Sequence, residues 1–403
     1  MVDAAVGAGV PKRARSIYDK EVQGVVWQVV VLAIVAGVVY YLYSNMVANQ
    51  ARQNITTGFD YLGREAGFGI GESWTTYSPA STYAQAVFVG FLNTLAVAIV
   101  GVVLATFIGI SVGIALLSRN WLVAKLMSVY VNLLRNIPVL LQIIFWHTLI
   151  TSERFLPIPR EFLVENGPQP LLGSVYFTRR GIFMPIFEGH IGWLGALVGL
   201  IVGIIGAWLL ARWAKRRMDD TGQQFPAFWA GIGVLAMCTF VGWIVMGAPT
   251  TVSYPSIGRF RVSGGMTMTP EFLALLLGLT VYTSAFIADI VRSGILSVPK
   301  GQIEAGRAIG LKESVIMRKV ILPQALRVII PPLTSQYLNL TKNSSLAVAV
   351  GYPELVSISN TTLSQTGQAP EAILIMMIVY LAISITTSLL MNWYNARIQL
   401  VER

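Results

Sequence analysis

Charged residues are scarce in this chain. They make up 12% of its 403 residues, against about 25% in an average soluble domain. Apolar residues make up 55%, and the mean hydropathy is +0.65. A chain of this length with so few charges must present most of its surface to something other than water. The composition therefore excludes a soluble globular protein and indicates a polytopic helical membrane protein.

Cysteine and histidine are almost absent as well. The single cysteine, Cys238, lies inside an apolar run, which excludes a disulfide framework. His147 and His190 are far apart and lack metal-ligand spacing, so we interpret them as membrane-interface residues. No Gly-x-x-x-x-Gly-Lys-Ser/Thr sequence occurs, so the chain has no phosphate-binding loop of its own. An integral membrane enzyme is not indicated, because it would need a clustered nucleophile or metal set.

Eight apolar blocks are long enough to cross a bilayer, which takes roughly 20 residues as a helix. We predict spans at about 25–43, 87–117, 128–150, 191–211, 227–247, 270–293, 327–350 and 372–394. The second is long enough to tilt or to extend past the bilayer. Pro138 interrupts the third, and Pro331 and Pro332 mark the start of the seventh, which polar residues weaken further.

The basic residues are unequally divided between the loops. With the N-terminus inside, the inner segments carry 18 of the 29 Lys and Arg residues, the outer segments carry 8, and 3 lie within or at the ends of spans. This positive-inside bias predicts an even number of spans with both termini in the cytoplasm. Residues 1–24 are polar and basic, so residues 25–43 are predicted to be an uncleaved first span rather than a signal peptide.

Two outer segments, 44–86 and 151–190, are long. Each either forms short interfacial helices that contact a soluble partner or is a solvated connection. In the fourth span Gly195, Gly199 and Gly203 form a small-residue stripe that lets another helix approach closely.

The segment 297–327 is a polar, basic inner loop of about 30 residues, whereas the other inner loops are short. Ser297 and Pro299 mark the start of a first short helix, because serine is a good cap and proline is tolerated in the first turn. Gly310 is placed to end that helix. A second helix is predicted from 312 to 320, closed by Pro323.

The first of these helices has little side-chain bulk on one surface. Ala305, Gly306 and Ala308 lie between the charged residues Glu304 and Arg307. A surface of this kind suits docking into a groove of another protein, where backbones must come close.

The same loop resembles the EAA loop of ATP-binding-cassette (ABC) importer permeases. That pattern is Glu-Ala-Ala, three residues, Gly, nine residues, Ile-x-Leu-Pro. The chain has Glu304-Ala305-Gly306, then Gly310, then Val320-Ile321-Leu322-Pro323, with Gly306 and Val320 as conservative departures. Three further stretches resemble the polar amino-acid branch, in particular the permeases of general L-amino-acid uptake systems: 298–302, 135–142 and 342–346.

The resemblance implies an all-α fold, the type I ABC-importer (MetI-like) transmembrane domain. Five core helices lie within 87–403, which also holds an inserted region with two extra spans, 151–269. With the added first span this makes three additional helices and eight spans.

The function that the resemblance implies is import of L-amino acids, of broad or polar specificity, across the bacterial inner membrane. The implied partners are an ABC ATPase dimer that binds Mg-ATP, a second homologous permease in a heterodimer, and a periplasmic solute-binding protein. Apart from lipid and the amino-acid substrate, no cofactor and no nucleic acid is implied for this chain. The residues that would couple to the ATPase are Glu304, Ala305, Gly306, Arg307, Gly310, Leu322 and Pro323.

Ionisable residues inside spans are costly, at about 2.5–3.5 kcal/mol for a central Arg, Lys or Asp, and are usually functional. Arg135 and Arg292 lie near the inner ends of their spans. Each either extends its charged group to the membrane interface (snorkelling) or contacts the substrate. Lys342 lies deeper, and it or Arg135 is predicted to pair with a substrate carboxylate or a partner acid. The alternative is a structural pair between subunits that involves Asp289. The predicted pathway residues are Arg135, Gln142, Asn339, Lys342, Asn343, Ser344 and Ser345.

A secondary transporter driven by an ion gradient is the main rival. Such transporters usually carry carboxylates or histidines at mid-membrane. Only one predicted span, 270–293, holds acidic residues, and both of them, Glu271 and Asp289, lie near its ends. A gradient-driven mechanism would also leave the loop 297–327 unexplained.

Overall fold

Helices dominate the computed structural model, which describes residues 20–53, 57–152, 174–178, 180–187, 192–248, 250–257 and 262–398. The described residues form twelve α-helices: α1 Lys20–Arg52, α2 Tyr83–Ala115, α3 Trp121–Asn136, α4 Val139–Thr151, α5 Gly192–Thr221, α6 Ala227–Val245, α7 Pro270–Leu296, α8 Lys300–Ala308, α9 Glu313–Ile316, α10 Leu322–Asn343, α11 Leu355–Thr366 and α12 Ala369–Ile398. The predicted all-α class is confirmed.

Seven short strands flank the α5–α6 hairpin. They are β1 Tyr176–Thr178, β2 Gly181–Met184, β3 Ile186–Phe187, β4 Val252–Ser253, β5 Ser256–Ile257, β6 Val262–Ser263 and β7 Met266–Met268. They pair as β1-β2-β7, β3-β4 and β5-β6, all antiparallel. The described part of the outer segment 151–190 beyond α4 therefore contains strands and not the interfacial helices that the sequence allowed. His190 lies outside the described residues.

Six of the described helices are long and apolar enough to span a membrane: α1, α2, α5, α6, α7 and α12. The number rises to seven if α3 and α4 together form one span. The predicted count of eight is not confirmed. The seventh predicted span, 327–350, corresponds to α10 followed by a 3-10 helix, Ser344–Val350. It is not among the six because polar side chains recur along α10.

The third predicted span is broken into α3 and α4, which meet at 105°. Proline lacks a backbone N–H and disfavours the helical conformation of the residue before it. Ile137 accordingly has extended dihedrals, φ −99° and ψ 127°, and Pro138 precedes the first turn of α4. The predicted interruption at Pro138 is confirmed.

Two other proline predictions are wrong. The sequence predicts that Pro331 and Pro332 start a span, but they lie inside α10. It also predicts that Pro323 closes a helix, but Pro323 occupies the first turn of α10. A first-turn proline is tolerated because its missing N–H would have no helical partner there.

The helix α7 lies at the centre of the bundle. In its most apolar 18-residue window 67% of the residues are buried, whereas the corresponding window of α1 is 0% buried and that of α12 is 6% buried. Glycines let the neighbouring helix approach: a Cβ on Gly109 of α2 would lie 2.6 Å from Cβ of Ile287, and one on Gly113 would lie 2.8 Å from Cβ of Val291. The core is thus built around α7, with α2, α4 and α10 packed on it.

The helices α5 and α6 pack closely on each other. A Cβ on Gly195 would lie 2.2 Å from the carbonyl oxygen of Gly242, and one on Gly199 would lie 2.2 Å from that of Cys238. The predicted close approach along the glycine stripe is confirmed. Packing within this hairpin accounts for the stripe.

Candidate functional site

The loop after α7 folds as a compact helical pair, which we call the coupling unit (residues 300–316, α8, α9 and the turn between them). Gly310 has φ +78°, in the left-handed region that favours glycine. Its N–H donates to the carbonyl of Arg307 at 2.9 Å, and Leu311 N–H donates to that of Gly306 at 3.1 Å. These bonds cap the end of α8, as the sequence predicts.

Gly306 has an internal packing role in the coupling unit. It is buried, and a Cβ at this position would lie 3.1 Å from Cγ1 of Ile316, which is fully buried. The interpretation of Gly306 as part of an exposed docking surface is therefore wrong. Its small size lets α8 pack on α9, while Ala305 and Ala308 remain exposed.

An ion pair holds the two sides of the Gly310 turn together. Arg307 donates to Glu313 through Nε at 2.6 Å and through Nη2 at 3.3 Å. The hydrogen bond raises the pKa of Arg307 and lowers the pKa of Glu313. Both residues stay charged near neutral pH, so the pair fixes the turn without titrating there.

The tip of the coupling unit exposes apolar side chains. Ile309 is 75% exposed, and Leu311 and Val315 are also exposed. Glu304 is exposed beside them. An apolar patch rimmed by charges is typical of a surface that contacts another protein.

The coupling unit is joined firmly to the bundle. Five residues of π-helix, Met317–Ile321, lead from α9 into α10. Gln324 of α10 donates to the side chain of Gln302 of α8. Farther along α10, Ile329 packs so closely on α7 that a Cβ on Gly294 would lie 2.3 Å from it. Leu322 is exposed at the start of α10 and Pro323 beside it is half-buried.

Arg135 has a partner within the chain. Its Nη1 lies 2.5 Å from Oδ2 of Asp289, and its guanidinium lies 5.0 Å from the ring centroid of Phe286. Arg292 is 4.0 Å from the same aspartate. Asp289 thus pairs with a basic neighbour in its own subunit, whereas the sequence alternative was a pair between subunits.

Gln142 closes the break between α3 and α4. Its Nε2 donates to the carbonyls of Leu134 at 2.9 Å and of Ile137 at 3.0 Å. These are carbonyls that the break leaves without helical donors. The side chain is buried at 5% exposure, so the geometry gives it a structural task.

The remaining predicted pathway residues are grouped near the end of α10. Asn339 and Lys342 are exposed, and with exposed Ser335 they lie on one face of the helix. Ser344 is buried and donates to the carbonyl of Thr341, and Ser345 donates to that of Lys342. Asn343 is half-buried. The structure brings these residues together but places Arg135 and Gln142 in separate contacts.

The family described as the inner membrane component of binding-protein-dependent transport systems matches residues 195–400. The chain is 47% identical over 388 residues to the general L-amino acid transport system permease protein AapQ of Rhizobium johnstonii, covering 96% of this chain and 95% of that one. The chain belongs to this permease family. The permease is also 43% identical to the putative amino-acid ABC transporter permease protein YhdX of Escherichia coli, over 97% of its own length and 98% of that chain.

A third relative is the glutamate/glutamine/aspartate/asparagine transport system permease protein BztB of Rhodobacter capsulatus. The permease is 40% identical to it, covering 96% of both chains. The permease is therefore an inner-membrane component of an ABC transporter and not an enzyme, and it works with an ATPase and a binding protein.

Three carboxylates are buried among the described residues of the permease, and two of them, Glu354 and Glu72, lie at positions to which the sequence assigns no role. Glu354 is fully buried, where it accepts from Ser357 N–H at 2.9 Å and from the Tyr380 hydroxyl at 3.0 Å. Glu72 is 7% exposed and contacts the start of α7. Both lie in stretches that the sequence assigns to outer loops, so no local signal marks them as buried.

Proposed function

We propose that the permease carries L-amino acids, of broad or polar specificity, inward across the membrane, and that a separate ATPase dimer hydrolyses Mg-ATP to drive the transport. The coupling unit is the observation that carries this proposal. The printed names of the three relatives above, each similar over nearly the whole chain, support amino acids as the substrates.

The coupling unit has the properties that force transmission requires. The Arg307–Glu313 pair and the packing of Gly306 on Ile316 make it a stiff body. Its exposed tip at Ile309 offers apolar surface to a cleft on the ATPase. Only Ser297, Val298 and Pro299 separate it from the central helix α7. Movement of the tip would therefore reach the middle of the bundle directly.

The coupling unit and both termini are proposed to lie on the cytoplasmic side. The loop distribution of Lys and Arg supports this orientation. So do two stacked pairs near the C-terminal ends of long helices, with Arg212 4.2 Å from the Trp208 ring and Arg397 4.1 Å from the Trp393 ring. Tryptophan with a basic neighbour is typical of a membrane interface.

The polar stripe Ser335, Asn339 and Lys342 on α10 is the part of the predicted pathway that the geometry supports best. It faces away from the core of the described chain. A second, homologous permease is proposed to lie opposite it, so that the solute passes between the two chains.

Replacing Gly310 with valine tests the coupling proposal. Its φ of +78° would strain any β-branched residue, while nothing lies within 4 Å of the new Cβ, so the change acts on the turn alone. We expect loss of ATPase association and of amino-acid uptake in proteoliposomes that hold the whole complex.

Gly301→Val is the matched control. Gly301 lies in α8 of the same unit, also has nothing within 4 Å of a new Cβ, and has no positive φ. Its complex is expected to assemble and transport. If Gly310→Val retains both ATPase binding and uptake, the coupling unit does not transmit the driving force.

A further inference from the structure

A polar cavity of about 370 Å³ opens at the end of α7 opposite the coupling unit. Its walls come from the outer segment at residues 68–72, from the first turn of α7, and from residues 351–361 around the start of α11. Two carboxylates, Glu72 and Glu271, line it together with the hydroxyl residues Thr269, Ser357 and Thr361. None of the sequence motifs described above includes these residues.

Glu72 is the buried member of the two carboxylates, at 7% exposure. Its Oε2 accepts from the Thr269 hydroxyl at 2.6 Å and from the Thr269 N–H at 3.2 Å. Its Oε1 has no hydrogen-bond partner among the described residues. One oxygen of a desolvated carboxylate thus remains unsatisfied.

Neither carboxylate is neutralised by a Lys or Arg in the part of the chain that the structure describes. Glu271 lies beside His147 in this part of the chain, with 3.9 Å between Nε2 of the histidine and Oε1 of the glutamate. Burial and, to a lesser extent, the negative charge of Glu271 raise the pKa of Glu72, while the two bonds from Thr269 lower it. An unpaired buried carboxylate is costly, so the site favours a positive charge brought from elsewhere.

The side chains that line the cavity indicate which kind of cation would bind there. Among the described residues no group of three or more His, Cys, Asp or Glu side chains is placed to hold a metal ion. Two carboxylates with neighbouring hydroxyls instead suit a group that carries several N–H donors. A cavity of about 370 Å³ has room for such a group on a side chain or a small molecule.

We propose that this cavity binds a protonated amine or a guanidinium through Glu72 and Glu271. Within the proposed function, two sources can supply that group: the α-ammonium of the amino acid, which all substrates share, or a Lys or Arg side chain of the binding protein. In either case the site receives a cation at the end of the bundle farthest from the coupling unit.

The test uses the complete transporter in proteoliposomes, with the binding protein and arginine, glutamine and glutamate as probes. Glu271→Gln removes one charge from a half-exposed residue that has no hydrogen bond to lose in the described structure. Glu65→Gln is the matched control, because Glu65 is exposed on the same outer segment but does not line the cavity. The affinity of the binding protein for the complex and the uptake KM of each amino acid are measured.

If the cavity binds a Lys or Arg side chain of the binding protein, Glu271→Gln should weaken the affinity of the binding protein for the complex about tenfold, equally with all three substrates. This is the effect expected for loss of a hydrogen bond to a charged group. If the cavity binds the substrate ammonium, Glu271→Gln should leave the affinity of the binding protein unchanged and raise the uptake KM about tenfold. Glu72→Gln, which can still accept from Thr269, is expected to act in the same direction. Glu65→Gln should change neither constant.

Both constants unchanged in Glu271→Gln and Glu72→Gln would overturn the proposed cation site. The proposed function is checked separately by the wild-type complex in the same vesicles. If the wild type accumulates no amino acid, the proposed function fails. If it does accumulate them and the two variants match it, only the cation site fails.

Discussion

Replacing Gln142 with leucine separates a structural role from a transport role. The sequence places this residue in the solute pathway, whereas the structure shows its amide bridging the bend between α3 and α4. Leucine has a similar volume but cannot donate. The change would leave the carbonyls of Leu134 and Ile137 without the donors that now lie at 2.9 and 3.0 Å.

The expected loss of stability follows from these two carbonyls. Leaving a buried acceptor unsatisfied costs about 1–3 kcal/mol. Leu134 and Ile137 are only half-buried, so each carbonyl should fall at the lower end of that range. Leucine also removes Oε1 of Gln142, a buried acceptor without a hydrogen-bond partner among the described residues, which offsets part of this loss. We expect Gln142→Leu to lower the free energy of unfolding by about 1–2 kcal/mol.

The assay is denaturant unfolding of the purified permease in detergent micelles, followed by far-UV circular dichroism. Asn339→Leu is the matched control, because this amide is exposed on α10 and makes no side-chain hydrogen bond in the described structure. Its free energy of unfolding should change by less than about 0.5 kcal/mol. If Gln142→Leu is as stable as the wild type but has an altered uptake KM, the structural reasoning is refuted and Gln142 belongs to the pathway.

Two further predictions concern packing and the pathway. Gly278→Val should destabilise the bundle by about 1–3 kcal/mol through overpacking, because a Cβ on Gly278 would lie 2.7 Å from Cγ1 of Ile143. Gly37→Val is the control, because nothing lies within 4 Å of a Cβ at that position. Equal melting temperatures for the two variants would contradict the packing argument. Lys342→Ala should leave assembly of the complex intact, because the Lys342 side chain is exposed. It should reduce amino-acid uptake at least tenfold if the lysine ammonium offsets the charge of the substrate carboxylate. Uptake at the wild-type rate would remove Lys342 from the pathway.

Features set by local chemistry could be predicted from the sequence. Proline at 138 predicts an interruption of the third span, and α3 and α4 do meet there at a break of 105°. Glycine at 310 predicts a left-handed helix end, and its φ is +78°. The glycine stripe from 195 to 203 predicts a close helix contact, and α6 supplies it. Each of these signals depends on one residue type and its nearest neighbours.

Features that depend on contacts between distant parts of the chain could not be predicted from the sequence. The Glu72 side chain meets Thr269 across 197 positions, and the Asn93 amide donates to the Pro353 carbonyl across 260. The strands β2 and β7 likewise pair across the α5–α6 hairpin. They are only four and three residues long, too short for an alternating pattern to stand out. The predicted exposure of Gly306 is also wrong because of a contact made only in the folded chain. Its burial depends on the packing of Ile316 from α9 against α8.

The geometry favours the polar stripe on α10, rather than Arg135, as the lining of the proposed solute pathway. The charge of Arg135 is already balanced by Asp289, and a substrate carboxylate would have to displace that pair. Lys342 has no paired carboxylate in the described part of the chain, and the opposite face of α10 is fixed in the core by Ile329 and Leu340. Were α10 to cross the membrane, a lysine on a lipid-facing surface would cost up to about 2.5–3.5 kcal/mol, the value for the centre of a bilayer. A water-filled path beside a second permease removes that cost, which is why the polar stripe on α10 favours such a path over a lipid-facing surface.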